Sequence, residues 1–330
     1  MLKDQHNRIV DYLRIAITDK CNLRCQYCMP ESGIDYIKQK ELLTYEELLR
    51  IISIVASEGV RKIRITGGEP FLRKDLPYFI KETSKIKGIE KIAITTNATL
   101  CKDHIDDLIP YGLTDWNVSI DSLDKENFFK ITRRDEYDTV IDCINYLKAH
   151  PDVDLKLNTV VMEDHNIDDI IPLVQLTKED DLSVRFIEEM PFNGSGTEQV
   201  HLKWNHKVIL EHIKDHFGTL DKLPDPKNST SFNHQVAGHK GTFGIIPAFT
   251  RSFCGSCNRL RLTPVGMIKT CLYDSGTFNI KNLMRAGATD IQVLTAIREA
   301  IGHKAKDGFE ADQLRRSSNS GIVSMAQIGG

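Results

Sequence analysis

Long hydrophobic runs are missing from this 330-residue sequence. Its most apolar stretch, Leu48 to Ala56, is short and contains Arg50, so we expect no segment to span a bilayer. The first residues, 1–6, contain no apolar core of the kind that a secretory signal requires. In a reducing compartment, the spacing of the cysteines suggests metal binding or catalysis rather than disulfides. Together these features predict a cytoplasmic protein.

The sequence also lacks a large excess of positive or negative charge. Lysine and arginine number 43 against 46 aspartates and glutamates, which gives a formal net charge of −3. Proteins that bind nucleic acids or acidic membranes are usually basic, so we expect neither partner. Any anionic ligand must therefore be held by a local cluster of cations. The hydrophobic content of 41% and the charged content of 27% are typical of a folded protein.

Short β-rich runs alternate with amphipathic segments between residues 11 and 190. The predicted strands are Tyr12–Thr18, Lys62–Thr66, Ile92–Thr96, Trp116–Asp121, Leu155–Val161 and Val184–Glu189. Six βα units in succession predict an α/β protein with a parallel sheet, either open or curled into a partial barrel. A break at residues 224–229 divides the chain into a first domain, 1–223, and a second, 224–330.

Polar side chains occupy one face of these predicted strands, whereas a parallel sheet covered on both sides would be apolar on both faces. This face carries Arg14, Lys62, Arg64, Lys156 and Arg185, together with Thr95, Asn117 and Ser119. If the apolar face packs against outer helices, the polar face lines a lumen in which the cations converge. Burying so many like charges dry is unfavourable, so the lumen is expected to be wet or filled by a polyanion. The alternative is that some of these residues lie at strand ends in water.

The first of two cysteine triplets, Cys21, Cys25 and Cys28, follows the first predicted strand directly. In a barrel this position is the mouth at the carboxyl ends of the strands, where barrel enzymes keep their active sites. Three thiolates so close together can hold three corners of a cubane iron–sulfur cluster and leave the fourth iron open to a small chelating molecule. The alternative, a structural zinc site, needs four ligands, and no fourth cysteine or histidine lies nearby.

This CxxxCxxC spacing, with Tyr27 before the last cysteine, resembles the signature of radical S-adenosylmethionine (SAM) enzymes. Gly67-Gly68-Glu69-Pro70, after the second predicted strand, resembles the GGEP turn of that family. The resemblance implies a [4Fe–4S] cluster and SAM, which together supply a 5′-deoxyadenosyl radical. It also implies that SAM contacts Tyr27, Gly67, Gly68, Glu69, Ser119 and Met190.

The second triplet, Cys254, Cys257 and Cys271, repeats the arrangement near the other end of the chain. A second cubane cluster with an open iron for the substrate is the preferred interpretation. A zinc ribbon completed by His234 or His239 is the alternative, since sites with three cysteines and one histidine are common. Arg259-Leu260-Arg261 lies between the last two cysteines and adds two cations to the predicted polyanion site.

The two triplets, the Arg-x-Arg motif and the terminal Gly-Gly together resemble the MoaA family of GTP 3′,8-cyclases over almost the whole length. This resemblance implies a partial (β/α)6 TIM-like barrel and a C-terminal α+β extension that carries a second [4Fe–4S] cluster. It implies that the radical removes the ribose 3′ hydrogen of GTP and that the resulting carbon radical attacks guanine C8. This reaction is the first step of molybdenum cofactor biosynthesis. The implied partners are an external one-electron donor and MoaC, which receives the product.

The resemblance also assigns residues. GTP is expected to contact Arg14, Lys62, Arg64, Thr95, Lys156, Arg185, Arg259, Leu260 and Arg261. Arg14 and the terminal Gly329 and Gly330 are expected to take part in cyclisation. One departure is Asn97-Ala98, where the family usually has Asn-Gly. Two other functions stay open, a peptide-modifying radical SAM enzyme and a metal-binding protein without activity; a homodimer is one alternative for the assembly.

Overall fold

The structure is a computed structural model, and it describes residues 1–192, 202–317 and 324–329. Within these residues the strands are β1 Tyr12–Ala16, β2 Lys62–Thr66, β3 Lys91–Thr96, β4 Leu113–Ser119, β5 Asp154–Val161, β6 Ser183–Glu188, β7 Leu220–Lys222, β8 Phe232–Val236, β9 Thr242–Ile246, β10 Arg259–Leu262, β11 Met267–Lys269 and β12 Phe278–Asn279. The first six correspond to the six predicted strands, with ends that differ by at most three residues.

All twelve strands belong to one sheet, in the order β12-β11-β10-β1-β2-β3-β4-β5-β6-β9-β8-β7. The six predicted strands are parallel and follow one another in chain order. Two strands from beyond the predicted domain boundary extend this parallel core: β10 pairs with β1, and β9 pairs with β6. The remaining strands are antiparallel at the two edges. β7, before residue 223, pairs with β8, after it. The sheet therefore continues across the predicted domain boundary, which stays a prediction.

The α-helices of the described residues are α1 Tyr45–Ser57, α2 Leu76–Ser84, α3 Ile105–Leu108, α4 Lys125–Thr132, α5 Tyr137–Ala149, α6 Ile170–Gln175, α7 His206–Phe217, α8 Ile280–Arg285, α9 Asp290–Gly302, α10 Gly308–Ser317 and α11 Met325–Ile328. Short 3₁₀ turns lie at Gln39–Glu41, Pro70–Leu72, Lys102–His104, Ile109–Tyr111, Ile167–Asp169 and Cys254–Ser256. Thr44 and Glu47 form the capping box that begins α1. No helix in the described ranges is long and apolar enough to cross a membrane.

The two faces of the central strands differ as the sequence predicts. Leu13 and Ile15 of β1 and Ile63 and Ile65 of β2 are fully buried in the main hydrophobic core, which the flanking helices cover. The opposite face carries the polar residues, and those of β1 to β6 line a common cavity. The sheet therefore curls into an open barrel, and its polar lumen is where a site can form.

Candidate active site

The lumen contains a cavity of about 460 Å³ that is lined by residues from both halves of the chain. The predicted site residues in its lining are Arg14, Tyr27, Lys62, Arg64, Thr95, Ser119, Arg185, Met190, Cys254, Cys257, Arg259, Arg261 and Cys271. A second space, of about 860 Å³, is a groove on the outer surface between α1 and α2, and no predicted site residue lines it. The lumen cavity, rather than the outer groove, is therefore the candidate active site.

Two residues predicted to contact GTP do not line this cavity. Lys156 forms ion pairs with Asp115 and Asp154. Leu260 is buried on the apolar side of β10, between the two arginines that flank it. Gly330 lies outside the described residues.

Asp115, which sequence reasoning missed, is the internal counter-ion of the lumen. Its carboxylate lies 2.9 Å from Lys62 Nζ, 3.1 Å from Lys91 Nζ, and 3.4 Å from both Arg64 Nη2 and Lys156 Nζ. Burial raises the pKa of Asp115, but the four cations, Arg64 foremost, lower it by a larger amount. The net pKa therefore lies well below the usual range. One carboxylate thus partly neutralises four cations, two of which, Lys62 and Arg64, line the cavity.

Arg8, a further arginine of the cavity, is paired with Asp4. Four others have no carboxylate within ion-pair distance among the described residues: Arg14, Arg185, Arg259 and Arg261. Burial, helped by repulsion from neighbouring arginines, lowers the pKa of Arg185 to about 10 and that of Arg261 to about 9. The Nε atoms of Arg14 and Arg185 are buried and make no hydrogen bond. Buried charges without partners are unfavourable, so this group of arginines is suited to a multiply charged anion.

Tyr12 is a second residue that the sequence did not single out. Arg64 Nε donates a hydrogen bond of 2.6 Å to its hydroxyl oxygen. Burial raises the pKa of Tyr12, but Arg64, Arg14 and Lys62 lower it more, to about 7. The sequence did contain a signal for this residue, because Tyr12 lies two residues before Arg14 and so on the same face of β1. Near neutral pH its phenol can therefore act as a titratable counter-charge for the cations.

The first triplet lies on the loop after β1. Cys28 N and Met29 N donate to Cys25 O, which turns the chain so that the cysteines can face one group. Burial raises the pKa of Cys21 to about 11 and that of Cys28 to about 12, and it raises that of Cys25 well above its usual value. Buried thiolates need a cationic centre, because a coordinated metal is what stabilises the deprotonated sulfur. The donor set and its surroundings therefore suit the [4Fe–4S] cluster of the radical SAM family.

The Gly67-Gly68-Glu69 turn packs directly against the chain that leads into this triplet. Gly68 N donates to Thr18 O at 2.8 Å, and Glu69 N donates to Lys20 O at 2.7 Å. A Cβ on Gly68 would lie only 2.2 Å from Lys20 O, so the close approach requires glycine. The Glu69 carboxylate is fully buried, accepts three hydrogen bonds from Phe71, Thr96 and Asn97, and has a pKa that burial raises to about 7.

The second triplet is surrounded by cations. Cys254 begins a 3₁₀ turn and its carbonyl accepts from Arg8 Nη1 at 3.1 Å, while Cys271 N donates to Asp274 at 2.7 Å. Burial raises the pKa of Cys257, but Arg259 and Lys304 lower it more, to about 5. Lys304, another residue that the sequence did not indicate, donates to the carbonyls of Arg259 and Thr270.

The histidines proposed for a zinc ribbon lie elsewhere. His234 stacks on Phe243 of β9, and His239 is hydrogen-bonded to Thr177. No three cysteine, histidine, aspartate or glutamate side chains of the described ranges are grouped around one point as a single metal ion requires.

The C-terminal segment reaches into the lumen between the triplets. Ser324 Oγ donates to Cys28 O at 2.6 Å, and Arg261 Nη1 donates to Gly329 O at 3.0 Å. Gly329 is buried with a φ of 86°, and a Cβ there would lie 2.6 Å from both Ala16 Cβ and Thr66 Oγ1. This position therefore requires glycine for its backbone conformation and for space.

Comparison with known proteins agrees with this geometry. The radical SAM superfamily matches residues 15–177, and the family described as Molybdenum Cofactor Synthesis C matches residues 182–309. The GTP 3′,8-cyclase of Chlorobaculum tepidum is 37% identical over 330 residues, which cover 100% of this chain and 97% of that protein. The GTP 3′,8-cyclase of Listeria monocytogenes serovar 1/2a is 36% identical, with 100% of this chain and 99% of that protein covered.

Longer relatives match over part of their length. Molybdenum cofactor biosynthesis protein 1 of Dictyostelium discoideum is 37% identical over 99% of this chain, which spans 50% of that protein. Among solved structures, SuiB of Streptococcus suis has a TM-score of 0.59 at 16% identity, with 88% of this chain and 65% of that chain covered. At this identity the likeness shows a common fold.

Proposed function

The chain belongs to the GTP 3′,8-cyclase family of radical SAM enzymes, and on that premise we propose that it converts GTP to a 3′,8-cyclised product in the first step of molybdenum cofactor biosynthesis. The [4Fe–4S] cluster and SAM supply the 5′-deoxyadenosyl radical that starts this reaction. Cys21, Cys25 and Cys28 would hold the cluster. Tyr27, Gly67, Gly68, Glu69, Ser119 and Met190 would hold SAM.

One observation carries the choice of GTP: four arginines that have no carboxylate partner among the described residues line the cavity beside the second triplet, Arg261 buried and the other three half-buried. A triphosphate brings three to four negative charges and many acceptor oxygens, and arginine binds phosphate through paired hydrogen bonds. We assign the triphosphate to Arg14, Arg185, Arg259 and Arg261. Lys62 and Arg64, already paired with Asp115, would shape the adjacent wall together with Thr95.

A peptide substrate is the competing function. A peptide of ordinary charge would leave most of these arginines without a counter-ion, and the cost of burying them would remain. The charge of the cavity therefore favours a nucleoside triphosphate over a peptide.

We further propose that Cys254, Cys257 and Cys271 hold a second [4Fe–4S] cluster whose open iron faces the substrate. The three cysteines line the same cavity as the arginines, so a ligand held by the arginines would contact this cluster. Two interactions outside the molecule complete the proposal: an external one-electron donor to the first cluster and transfer of the product to MoaC. The cytoplasmic location stays a prediction, as does the assembly.

Arg185→Ala tests the assignment of GTP as the substrate. Arg185 lies on β6, outside both cysteine-bearing segments, so its loss should leave the cluster ligands in place. We expect GTP binding to weaken by about 10- to 100-fold, the loss typical of one or two charge-assisted hydrogen bonds. Cleavage of SAM without coupled product should continue. The measurement is equilibrium binding of GTP to the reconstituted enzyme without oxygen, with product analysis of GTP and peptide reactions.

The matched control is Arg61→Ala, which removes an exposed arginine paired with Glu90 on the outer surface. It should leave GTP binding and turnover unchanged. Wild-type GTP affinity in Arg185→Ala, or modification of a peptide without any GTP product, would contradict the proposed function.

A further inference from the structure

Asn97 lies at the end of β3, and its side-chain amide contacts a ligand of the first cluster. Asn97 Nδ2 is 3.7 Å from Cys21 Sγ, a hydrogen-bond distance for a sulfur acceptor. We propose that Asn97 is a positioning residue for the first cluster: its N–H group donates to the Cys21 thiolate and thereby raises the reduction potential of the cluster. The proposal rests on the cluster of the family and not on the identity of the substrate.

The orientation of the Asn97 amide follows from its other hydrogen bonds. Its Oδ1 accepts from Thr99 N at 3.1 Å and from Thr99 Oγ1 at 2.7 Å, so this atom is the oxygen. Nδ2 donates to Asn22 Oδ1 at 2.9 Å, and Asn22 Nδ2 donates to Thr99 Oγ1 at 2.8 Å, which closes a ring. One N–H bond of Nδ2 is thus used by Asn22, and the other is left for Cys21.

The backbone of Asn97 joins the same contact to the GGEP turn. Asn97 N donates to Glu69 Oε2 at 2.7 Å, and Thr96 Oγ1 donates to Glu69 Oε1 at 2.8 Å. Glu69 is expected to receive the methionyl amine of SAM. A single residue therefore connects the carboxylate expected to bind the cofactor with a cysteine expected to bind the iron.

The turn after Asn97 holds this arrangement in place. Ala98 adopts a φ of 62°, and its N–H donates to Thr96 Oγ1 at 3.1 Å. Asn97 is buried, with only 8% of its surface exposed, so water has little access to replace the amide. The donor to Cys21 is thus fixed by protein contacts on every other side.

Reduction adds an electron to an already anionic cluster, and an N–H donor to a ligand sulfur stabilises that added charge. Loss of the donor should therefore lower the midpoint potential. With a fixed reductant, a smaller fraction of the cluster would then be reduced. The effect is expected in the absence of GTP as well as in its presence.

The test uses the full chain with reconstituted clusters and potentiometric titration followed by electron paramagnetic resonance. The signal that changes when SAM is added identifies the first cluster. Asn97→Leu removes the donor without adding charge, and Asn97→Met removes it with a second uncharged side chain of a different shape. Both should shift the midpoint of this signal to lower potential and leave the SAM-insensitive signal unchanged.

Asn127→Leu is the matched control, because it makes the same substitution at an asparagine whose Nδ2 donates to His165 O and Asp169 and to no cysteine of the first triplet. Its midpoint should equal that of the wild type. If Asn97→Leu does not retain the iron, Asn97→Met with the wild-type iron content decides the question. A wild-type midpoint in an iron-loaded Asn97 variant, or an equal shift in Asn127→Leu, would overturn the proposal; since no GTP is present, neither result affects the proposed function.

Discussion

The two cysteine triplets differ in their electrostatic surroundings, and the difference is concentrated at Cys257. Around the first, burial and nearby carboxylates raise the pKa values of the thiols, with Glu69 acting on Cys21 and Asp121 on Cys25. In the second, burial also raises the pKa values of Cys254 and Cys271, but at Cys257 the cations Arg259 and Lys304 overcome burial and lower the pKa to about 5. Negative surroundings disfavour the addition of an electron to a cluster, and positive surroundings favour it. The cations beside Cys257 therefore make the second site the better suited of the two to an anionic ligand.

Cys257→Ala should have the largest effect, because it removes the thiolate that the cations stabilise. We expect the iron content to fall from about eight to about four per chain. Formation of the cyclised product should stop, while uncoupled cleavage of SAM at the first triplet continues. Iron analysis and separate assays of the two products after anaerobic reconstitution measure these outcomes.

Cys143→Ala is the matched control, because Cys143 is buried beside Cys101 and belongs to neither triplet. It should retain both clusters and the activity. Eight irons in Cys257→Ala, or full product formation with four, would remove the distinction between the two triplets.

Gly329→Ala tests the C-terminal segment, which contacts both Cys28 of the first triplet and Arg261 near the second. Its effect should be the second largest. The added Cβ would collide with Ala16 and Thr66, and alanine is strained at a φ of 86°. A left-handed conformation costs about 1–2 kcal/mol, and overpacking costs about 1–3 kcal/mol more. The tail should therefore leave the lumen, and product formation should fall by about 30-fold or more.

Both clusters and SAM cleavage should persist in Gly329→Ala, as iron analysis and the cleavage assay would show. Gly302→Ala is the control, because Gly302 ends α9 and a Cβ added there would have no neighbouring atom within 4 Å. A fully active Gly329→Ala enzyme would show that the tail has no part in the reaction.

Tyr12→Phe should change the pH dependence of GTP binding on the side of the cavity that faces the second triplet. With a pKa of about 7, the Tyr12 phenol loses its proton above neutral pH and pairs with Arg64, Arg14 and Lys62. A bound triphosphate opposes this ionisation, so binding above pH 7 requires proton uptake. Affinity should therefore fall as pH rises from 7 to 9, by up to about tenfold per pH unit.

The phenylalanine variant should lack this dependence and keep only that of the ligand itself. Titration calorimetry in buffers of different ionisation enthalpy measures the proton uptake directly. Equal pH slopes for wild type and Tyr12→Phe would mean that Tyr12 stays protonated in the cavity.

Local patterns were sufficient to predict the parallel core of the fold. The alternation of apolar and polar residues located six strands and the lumen face, since these depend on neighbours in the sequence. The positions of β9 and β10 beside β6 and β1 could not be predicted, because they depend on pairing between distant segments. For example, Tyr12 pairs with Arg259, and no short-range signal encodes that register.

The lining of the cavity was predictable where it depends on strand face and less so where it depends on charge balance. The cations of the lumen could be located from strand face, whereas the roles of the cysteine triplets stay predictions from their motifs. Asp115 was missed because the fourth strand was predicted to begin at Trp116, whereas β4 begins at Leu113. Because of that difference of three residues, Asp115 was not assigned to the lumen face. Its ion pair with Lys156 holds this lysine outside the cavity lining. Lys304 lies after α9 on no regular element, so its approach to the second triplet depends on tertiary packing alone.

Ala98→Gly should have the smallest effect, and it addresses the turn beside the first triplet. Relief of the left-handed strain at a φ of 62° would stabilise the fold by about 1–2 kcal/mol. Loss of a buried methyl group costs about 0.8 kcal/mol, and the added freedom of the unfolded chain costs about 0.5–1 kcal/mol. The terms nearly cancel, so we expect the free energy of unfolding to change by less than about 1 kcal/mol.

Gly112→Ala isolates the contribution of strain, because Gly112 has a φ of 79° and open space around the position of a Cβ. It should destabilise the protein by about 1 kcal/mol or slightly more. Chemical denaturation of the cluster-free chain measures both variants, and the potential of the first cluster in Ala98→Gly should match the wild type because the Asn97 donor is unchanged. A shifted potential with unchanged stability would mean that the methyl group of Ala98 holds the Asn97 amide against Cys21, and that the contrast between the triplets depends on this turn as well as on the surrounding charges.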